Sequence, residues 1–335
     1  MNRTLLSLTA GGKSLYLSLR RIFPPGKGDR CVFSKTKTAG YLYLRGTRPS
    51  QTQVRSKTRA ERRDMEQNYK LTISYDGSRY FGWEHQKSTE NTIQGKLETV
   101  LARMLLADRE EREIKAHCTD SSKETAQTEA LPAVSVTGAG RTDAGVHAKA
   151  MIASVRLDTP RSEAEIQDYM NRYLPEDISV DGLRRAAERF HARYSAVGKT
   201  YCYSCYAGNA KPVFERKYLT LLEQMPDVSR MREAAALLTG THDFRSFCGN
   251  PRMKKSTVRT VDSIEIRVSG PYLRMYFHGN GFLQHMVRIL SGTLLEVGFG
   301  KRSPEEMSAI LAARDRTAAG YTAPAQGLCL IRVDY

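Results

Sequence analysis

From residue 69 onward, apolar and polar positions fall into short periodic blocks. Leu71, Ile73 and Tyr75 alternate with Thr72 and Ser74, the period of a half-buried strand, and Asp76-Gly77-Ser78 ends it with turn chemistry. From Thr92 the period lengthens, and Ile93, Leu97, Val100, Leu101, Met104 and Leu105 fall on one helical face. Residues 118–132, rich in Ser, Thr, Glu and Ala, show no period and read as a surface loop. Residues 133–136 and 148–157 read as strands on either side of a glycine-rich stretch. A helix over 162–172 and a strand near 178–180 follow.

The second half uses the same alphabet. Residues 199–206 are strand-like, 228–238 helical, and 263–268 and 272–277 are strands joined by a Ser-Gly-Pro turn. Residues 283–297 and 304–313 read as helices, and 327–333 as a closing strand. Mixed strands and helices with hairpin-like links predict an α+β fold with an antiparallel sheet. The expected organisation is a subdomain at 69–180, with 118–132 as an insertion, and a second at 181–335. No sequence repeat relates the two.

Composition is that of a soluble globular chain, 40% hydrophobic and 26% charged, and no apolar run approaches the roughly 18 residues a membrane helix needs. Six scattered cysteines do not make a disulfide scaffold and fit a reducing compartment. The net charge of +16 suggests a nucleic-acid partner, but residues 1–64 hold fifteen Lys/Arg against three Asp/Glu. That leaves a net of only +4 for 65–335, so the charge total says little about RNA. Residues 1–64 lack a period and read as a disordered basic extension. They are either an Arg- and Ser-rich organellar presequence or a stretch ahead of a true start at Met65. The expected location is cytoplasmic, or mitochondrial or another organelle if the presequence is genuine.

The chemistry gathers at Gly138-Ala-Gly-Arg-Thr-Asp-Ala-Gly-Val-His147. Its opening fits a dinucleotide-binding G-x-G-x-x-G, but Asp143 stands where the third glycine belongs, and a strand rather than a helix follows. What remains is a glycine-flanked turn presenting Arg141 and Asp143. Locally extended, residues two apart project the same way, so the pair could share a cleft, where a guanidinium favours the ionised carboxylate. The competing reading is a surface turn in which Asp143 caps the amides of Gly145 or Val146.

Strand alternation puts Tyr201, Tyr203 and Cys205 on one face, where Tyr201 is either a core tyrosine or a ring for stacking on a base. Arg288 lies in an otherwise apolar helix and needs a carboxylate or phosphate partner, Asp143 or a substrate phosphate, unless it snorkels to solvent. Arg193 and Lys199 are weaker candidates for phosphate positioning. Cys202 and Cys205, three apart in a strand, point to opposite faces, and no ligand-spaced histidine pair exists, so no metal is expected.

The motif Gly140-Arg-Thr-Asp-Ala-Gly-Val-His147 resembles the signature of the TruA family of tRNA pseudouridine synthases. Six further stretches fall in family order: Tyr75-Asp-Gly-Ser-Arg-Tyr-Phe-Gly-Trp83, Phe190-His-Ala-Arg-Tyr-Ser-Ala196, Thr200-Tyr-Cys-Tyr203, His242-Asp-Phe-Arg-Ser-Phe247, Phe282-Leu-Gln-His-Met-Val-Arg288 and Ala325-Gln-Gly-Leu328. Together they cover essentially all of 69–335. The resemblance implies that Asp143 is the catalytic aspartate and Arg141 its neighbouring arginine. It also makes Tyr201 the tyrosine that contacts the target base, Arg288 an active-site arginine and Leu328 an apolar wall residue.

It further implies two α/β subdomains joined in one continuous sheet, a homodimer, and tRNA as the partner. The implied reaction isomerises uridine to pseudouridine at positions 38–40 of the anticodon arm, with no cofactor. Two departures from the family pattern stand out: Glu84-His85 replaces a Gln-Arg pair after Trp83, and residues 118–132 look inserted.

Overall fold

The structure, a computed structural model, describes residues 66–117 and 130–335; the extension at 1–64 and most of the loop at 118–132 lie outside the described residues. Among the described residues ten strands form one sheet. β1 (Gln67–Tyr75) pairs antiparallel with both β3 (His147–Leu157) and β4 (Ile178–Arg185). On the other side β5 (Gly198–Tyr206) pairs with β9 (Tyr272–Gly279), β9 with β8 (Val258–Ser269), and β8 with the edge strand β7 (Gly240–Asp243). The closing strand β10 (Leu328–Asp334) runs between β3 and β5 and joins the two sets. Two-residue strands β2 (Thr137–Gly138) and β6 (Thr220–Leu221) attach to β3 and β5.

The helices are α1 (Ile93–His117), α2 (Glu163–Tyr173), α3 (Val228–Leu237), α4 (Met286–Gly298) and α5 (Glu306–Ala313). Alternate residues of the strands meet them in one continuous apolar core. Leu71 and Ile73 of β1 and Tyr203 and Phe277 of β5 and β9 are buried in the same cluster as Leu97 and Leu101 of α1 and Leu290 and Leu294 of α4. The start of α2 is set by a capping box in which Ser162 and Glu165 satisfy each other's backbone amides. Among the described residues no helix is long and apolar enough to cross a membrane.

The fold is the mixed α/β arrangement the sequence predicts, with differences of physical interest. The sheet is mainly antiparallel, but β10 runs parallel to β3 and β6 parallel to β5. Residues 133–136 are not a strand: the Val136 amide donates to the Glu98 carboxylate of α1 (2.9 Å), and ladder pairing begins only at Thr137. The first helix of the 283–313 region starts at Met286 rather than 283, the second at Glu306 rather than 304, and the strand near 178 continues to Arg185. The strands β6 and β7 are short and largely polar and carry no readable alternation.

Candidate active site

The glycine-rich stretch sits between β2 and β3 and is clamped by residues 75–83. The buried Tyr75 hydroxyl is 2.8 Å from the Thr142 hydroxyl, the Trp83 amide donates to the Thr142 carbonyl (3.0 Å), and the Gly145 amide donates to the Tyr80 carbonyl (3.4 Å). Gly82 permits this clamp. Its φ is +95°, and a Cβ there would lie 2.6 Å from the Thr142 carbonyl oxygen. His147 is buried at the end of the stretch. Its Nδ1 accepts from the Gly77 amide (3.1 Å) and its Nε2 lies 3.1 Å from the Lys217 carbonyl, so its role in the loop is to hold shape.

The turn-cap alternative for Asp143 does not describe this loop. The Val146 amide donates to the Asp143 backbone carbonyl (3.1 Å) and the Gly145 amide to Tyr80, so neither uses the Asp143 side chain. That side chain is directed at α4 instead. Arg288 Nη1 donates to Asp143 Oδ2 (3.1 Å), while Arg288 Nε donates to the Ala323 carbonyl (2.8 Å). The guanidinium therefore has a carboxylate partner and a second anchor, which resolves its place in an apolar helix. The Asp143 side chain is 26% exposed and that of Arg288 16%, which leaves the pair partly open to solvent.

A residue that pattern reasoning passed over completes the surroundings. His285 Nε2 lies 3.6 Å from Asp143 Oδ1, the oxygen Arg288 does not take. His285 precedes α4 with φ +59°, a left-handed conformation rare for any side chain but glycine. Gly249 makes room for it, since a Cβ there would lie 2.4 Å from the imidazole. Extending the helix back to 283 hid this residue, because a helical His285 has no reason to face the glycine-rich loop. The signal was present in the Gln-His-Met-Val-Arg288 stretch, where a histidine stands three residues before the arginine.

Tyr201 packs in the core with Phe282 edge-on to its ring (centroids 5.4 Å apart), while its hydroxyl is directed toward the loop at Gly140. Burial, reinforced by the Asp143 charge, pushes the Tyr201 phenol well above the usual tyrosine range. Leu328 is buried at the start of β10, opposite Tyr203. Arg141 does not share the Asp143 carboxylate; its guanidinium forms an ion pair with Glu84, and both side chains are largely exposed. The parity of an extended segment places two side chains on one side without choosing their partners, and Glu84, carried by the clamp, reaches Arg141 first.

Cys202 and Cys205 are both buried free thiols on opposite faces of β5. Among the described residues no three His, Cys, Asp or Glu side chains converge as a metal site. The arrangement is one carboxylate steadied by a guanidinium and flanked by an imidazole, a protonated phenol and apolar walls. Such a group can attack an electrophilic carbon or take a proton.

The family described as tRNA pseudouridine synthase matches residues 71–195 and 234–335 of the chain. The chain is 40% identical over 268 residues to the tRNA pseudouridine synthase A of Bacillus sp. (strain KSM-64), covering 80% of this chain and 99% of that protein. It is 41% identical over 273 residues to the tRNA pseudouridine synthase A of Geobacillus kaustophilus (strain HTA426), covering 81% and 95%. A tRNA pseudouridine synthase A 2 of Bacillus anthracis is 38% identical over 268 residues, 80% of this chain and 99% of its own.

Proposed function

The chain belongs to the TruA-type family of tRNA pseudouridine synthases, and from that membership we propose that Asp143 is the catalytic carboxylate in its isomerisation of tRNA uridine to pseudouridine. The reaction breaks the bond from ribose C1′ to uracil N1, turns the base and rejoins it through C5. The C5 proton leaves to solvent and the freed N1 takes one up, so the product is an isomer and no electrons are gained or lost. The observation that carries the assignment is the ion pair between Asp143 and Arg288, side chains 145 residues apart in the chain.

Asp143 either attacks C1′ or removes the proton that starts glycal formation, and Arg288, anchored on the Ala323 carbonyl, holds and aims it in both cases. For the later loss of the C5 proton, Asp143 is the better acceptor. Burial and the neighbouring carboxylate hold the proton on Tyr201, which leaves its phenol suited to contact the base rather than deprotonate it. The uridine must leave its stack to reach this cleft, and Tyr201, Phe282 and Leu328 supply apolar surface for the extruded base. Arg141, paired with Glu84 at the exposed side of the loop, has further guanidinium donors to offer an RNA phosphate while keeping that acid engaged.

The target we propose is the anticodon arm at positions 38–40 of tRNA. The acting species is a cytoplasmic homodimer, each protomer built from subdomains at 69–180 and 181–335. The direct test uses tRNA carrying tritium at uridine C5. Incubation with the protein releases tritium to water in step with pseudouridine, mapped by carbodiimide modification to the anticodon arm. Tight tRNA binding without tritium release would instead mark a non-catalytic RNA-binding scaffold.

A further inference from the structure

We infer that Lys199, with Arg193 and Arg259, forms a site for one backbone phosphate of the RNA, beside the nucleotide presented to Asp143. This rests on the reading of the chain as a tRNA-modifying enzyme and adds a binding site to it. Lys199 lies on β5 two residues before Tyr201 and so on the same face of the sheet. A Cβ built on Gly140 would be 3.5 Å from Lys199 Nζ and 3.8 Å from the Tyr201 hydroxyl. The ammonium and the phenol therefore sit next to each other against the backbone of the loop, three residues ahead of Asp143.

The register explains how a second cation joins from β8. Lys199 is opposite Gly279 on β9, and Gly279 is opposite Val261 on β8. Gly279 puts no side chain between them, and a Cβ there would meet the Thr260 carbonyl at 2.5 Å. Arg259, two residues from Val261, shares that face, with Nη1 tied to the carbonyls of Ser256 and Val258. Arg193 comes from the segment before β5 and lines a cavity of about 150 Å³ with Gly140, Arg141, Trp83 and Glu84.

None of the three cations has a carboxylate partner among the described residues, and the acid at that cavity, Glu84, is held by Arg141. Burial first, then repulsion from Arg193 and Arg259, lowers the Lys199 ammonium to about 8. Other ionisable groups nearby do not relieve it. Tyr201 keeps its proton, and His278 and Asp334 contact each other from alternate positions of β9 and β10. Three converging cations without an acid are costly unless an anion completes them, and a phosphodiester is the anion that RNA brings to this cleft.

The test uses the Asp143→Ala protein, so that tRNA binding is read without turnover. Adding Lys199→Gln should weaken tRNA binding about tenfold at low salt and reduce the slope of log affinity against log salt by about 0.7–0.9, one phosphate contact. Affinity of the parent should decline as pH passes about 8, and Lys199→Arg should keep the affinity and flatten that decline. In competitive acetylation read by mass spectrometry, tRNA should protect the Lys199 amine while inorganic phosphate at equal phosphate concentration should not. Unchanged affinity and salt slope in Lys199→Gln, an undiminished alkaline decline in Lys199→Arg, or equal protection by inorganic phosphate would each overturn the site. Pseudouridine formation by Asp143→Ala would overturn the catalytic reading instead, and leaves these outcomes untouched.

Discussion

Asp143 is held from one side only. Arg288 takes Oδ2 and His285 approaches Oδ1 without closing on it, so one oxygen stays available for chemistry. Arg288→Ala should lower kcat on the order of 100-fold, the usual cost of a lost electrostatic partner at a reacting group. It should also cost about 1–3 kcal/mol of stability by leaving a half-buried carboxylate without its cation. Steady-state kinetics and thermal melting of one preparation read both.

His285 offers a separate test, because its backbone is strained in a way glycine is not. His285→Gly should melt at the same temperature as the parent or slightly above it, a gain of about 0.5–1 kcal/mol offset by lost packing, while kcat falls. A large loss of stability with unchanged kcat would show that the left-handed turn serves folding alone. Lys199 has a stability signature of its own. The unfolded chain binds its proton more tightly than the folded one, so this residue's contribution to folding rises as pH climbs from about 8 toward 10.5. Subtracting the pH profile of Lys199→Met from that of the parent should leave a positive slope in that window.

At the scale of elements, the clamp of residues 75–83 on the glycine-rich loop positions Asp143 more than any contact of its own. Gly82→Ala places a methyl 2.6 Å from the Thr142 carbonyl at a φ of +95°. It should cost about 1–3 kcal/mol of stability. It should also reduce kcat by about tenfold or more through misplacement of the carboxylate, with tRNA affinity little changed. Filter binding beside kinetics separates the two effects.

Long periodic segments are legible in the sequence itself. β1 and α1 emerge where alternation and helical spacing predict them, because one face of each is buried in a single core. The failures share a cause: where an element ends is decided by tertiary partners. Glu98 takes the Val136 amide that a strand would have used, and the left-handed His285 stops a helix whose apolar spacing continues backward. The site followed the same division. Asp143 and Arg288 were visible as a carboxylate in a glycine-flanked turn and a cation in an apolar helix. Local spacing sets Arg141 beside Asp143, but its partner in the fold, Glu84, is distant in sequence.

At the scale of the molecule, the site exists only because the two halves of the chain share a sheet. Asp143 precedes β3, Tyr201 lies on β5, and β10 runs between those strands and brings Leu328 with it. Removing residues 328–335 should therefore abolish cooperative folding rather than trim an edge, which circular dichroism melting would show. The proposed homodimer predicts a sedimentation mass near twice the 37.7 kDa of one chain.

The central claim is that one carboxylate carries the chemistry. Asp143→Asn, which keeps the shape of the side chain and removes its charge, should bind tRNA with nearly the parent affinity. In a single-turnover assay with C5-tritiated tRNA it should release no tritium above background. Turnover within about tenfold of the parent would contradict the account, since loss of a catalytic nucleophile or base costs several orders of magnitude.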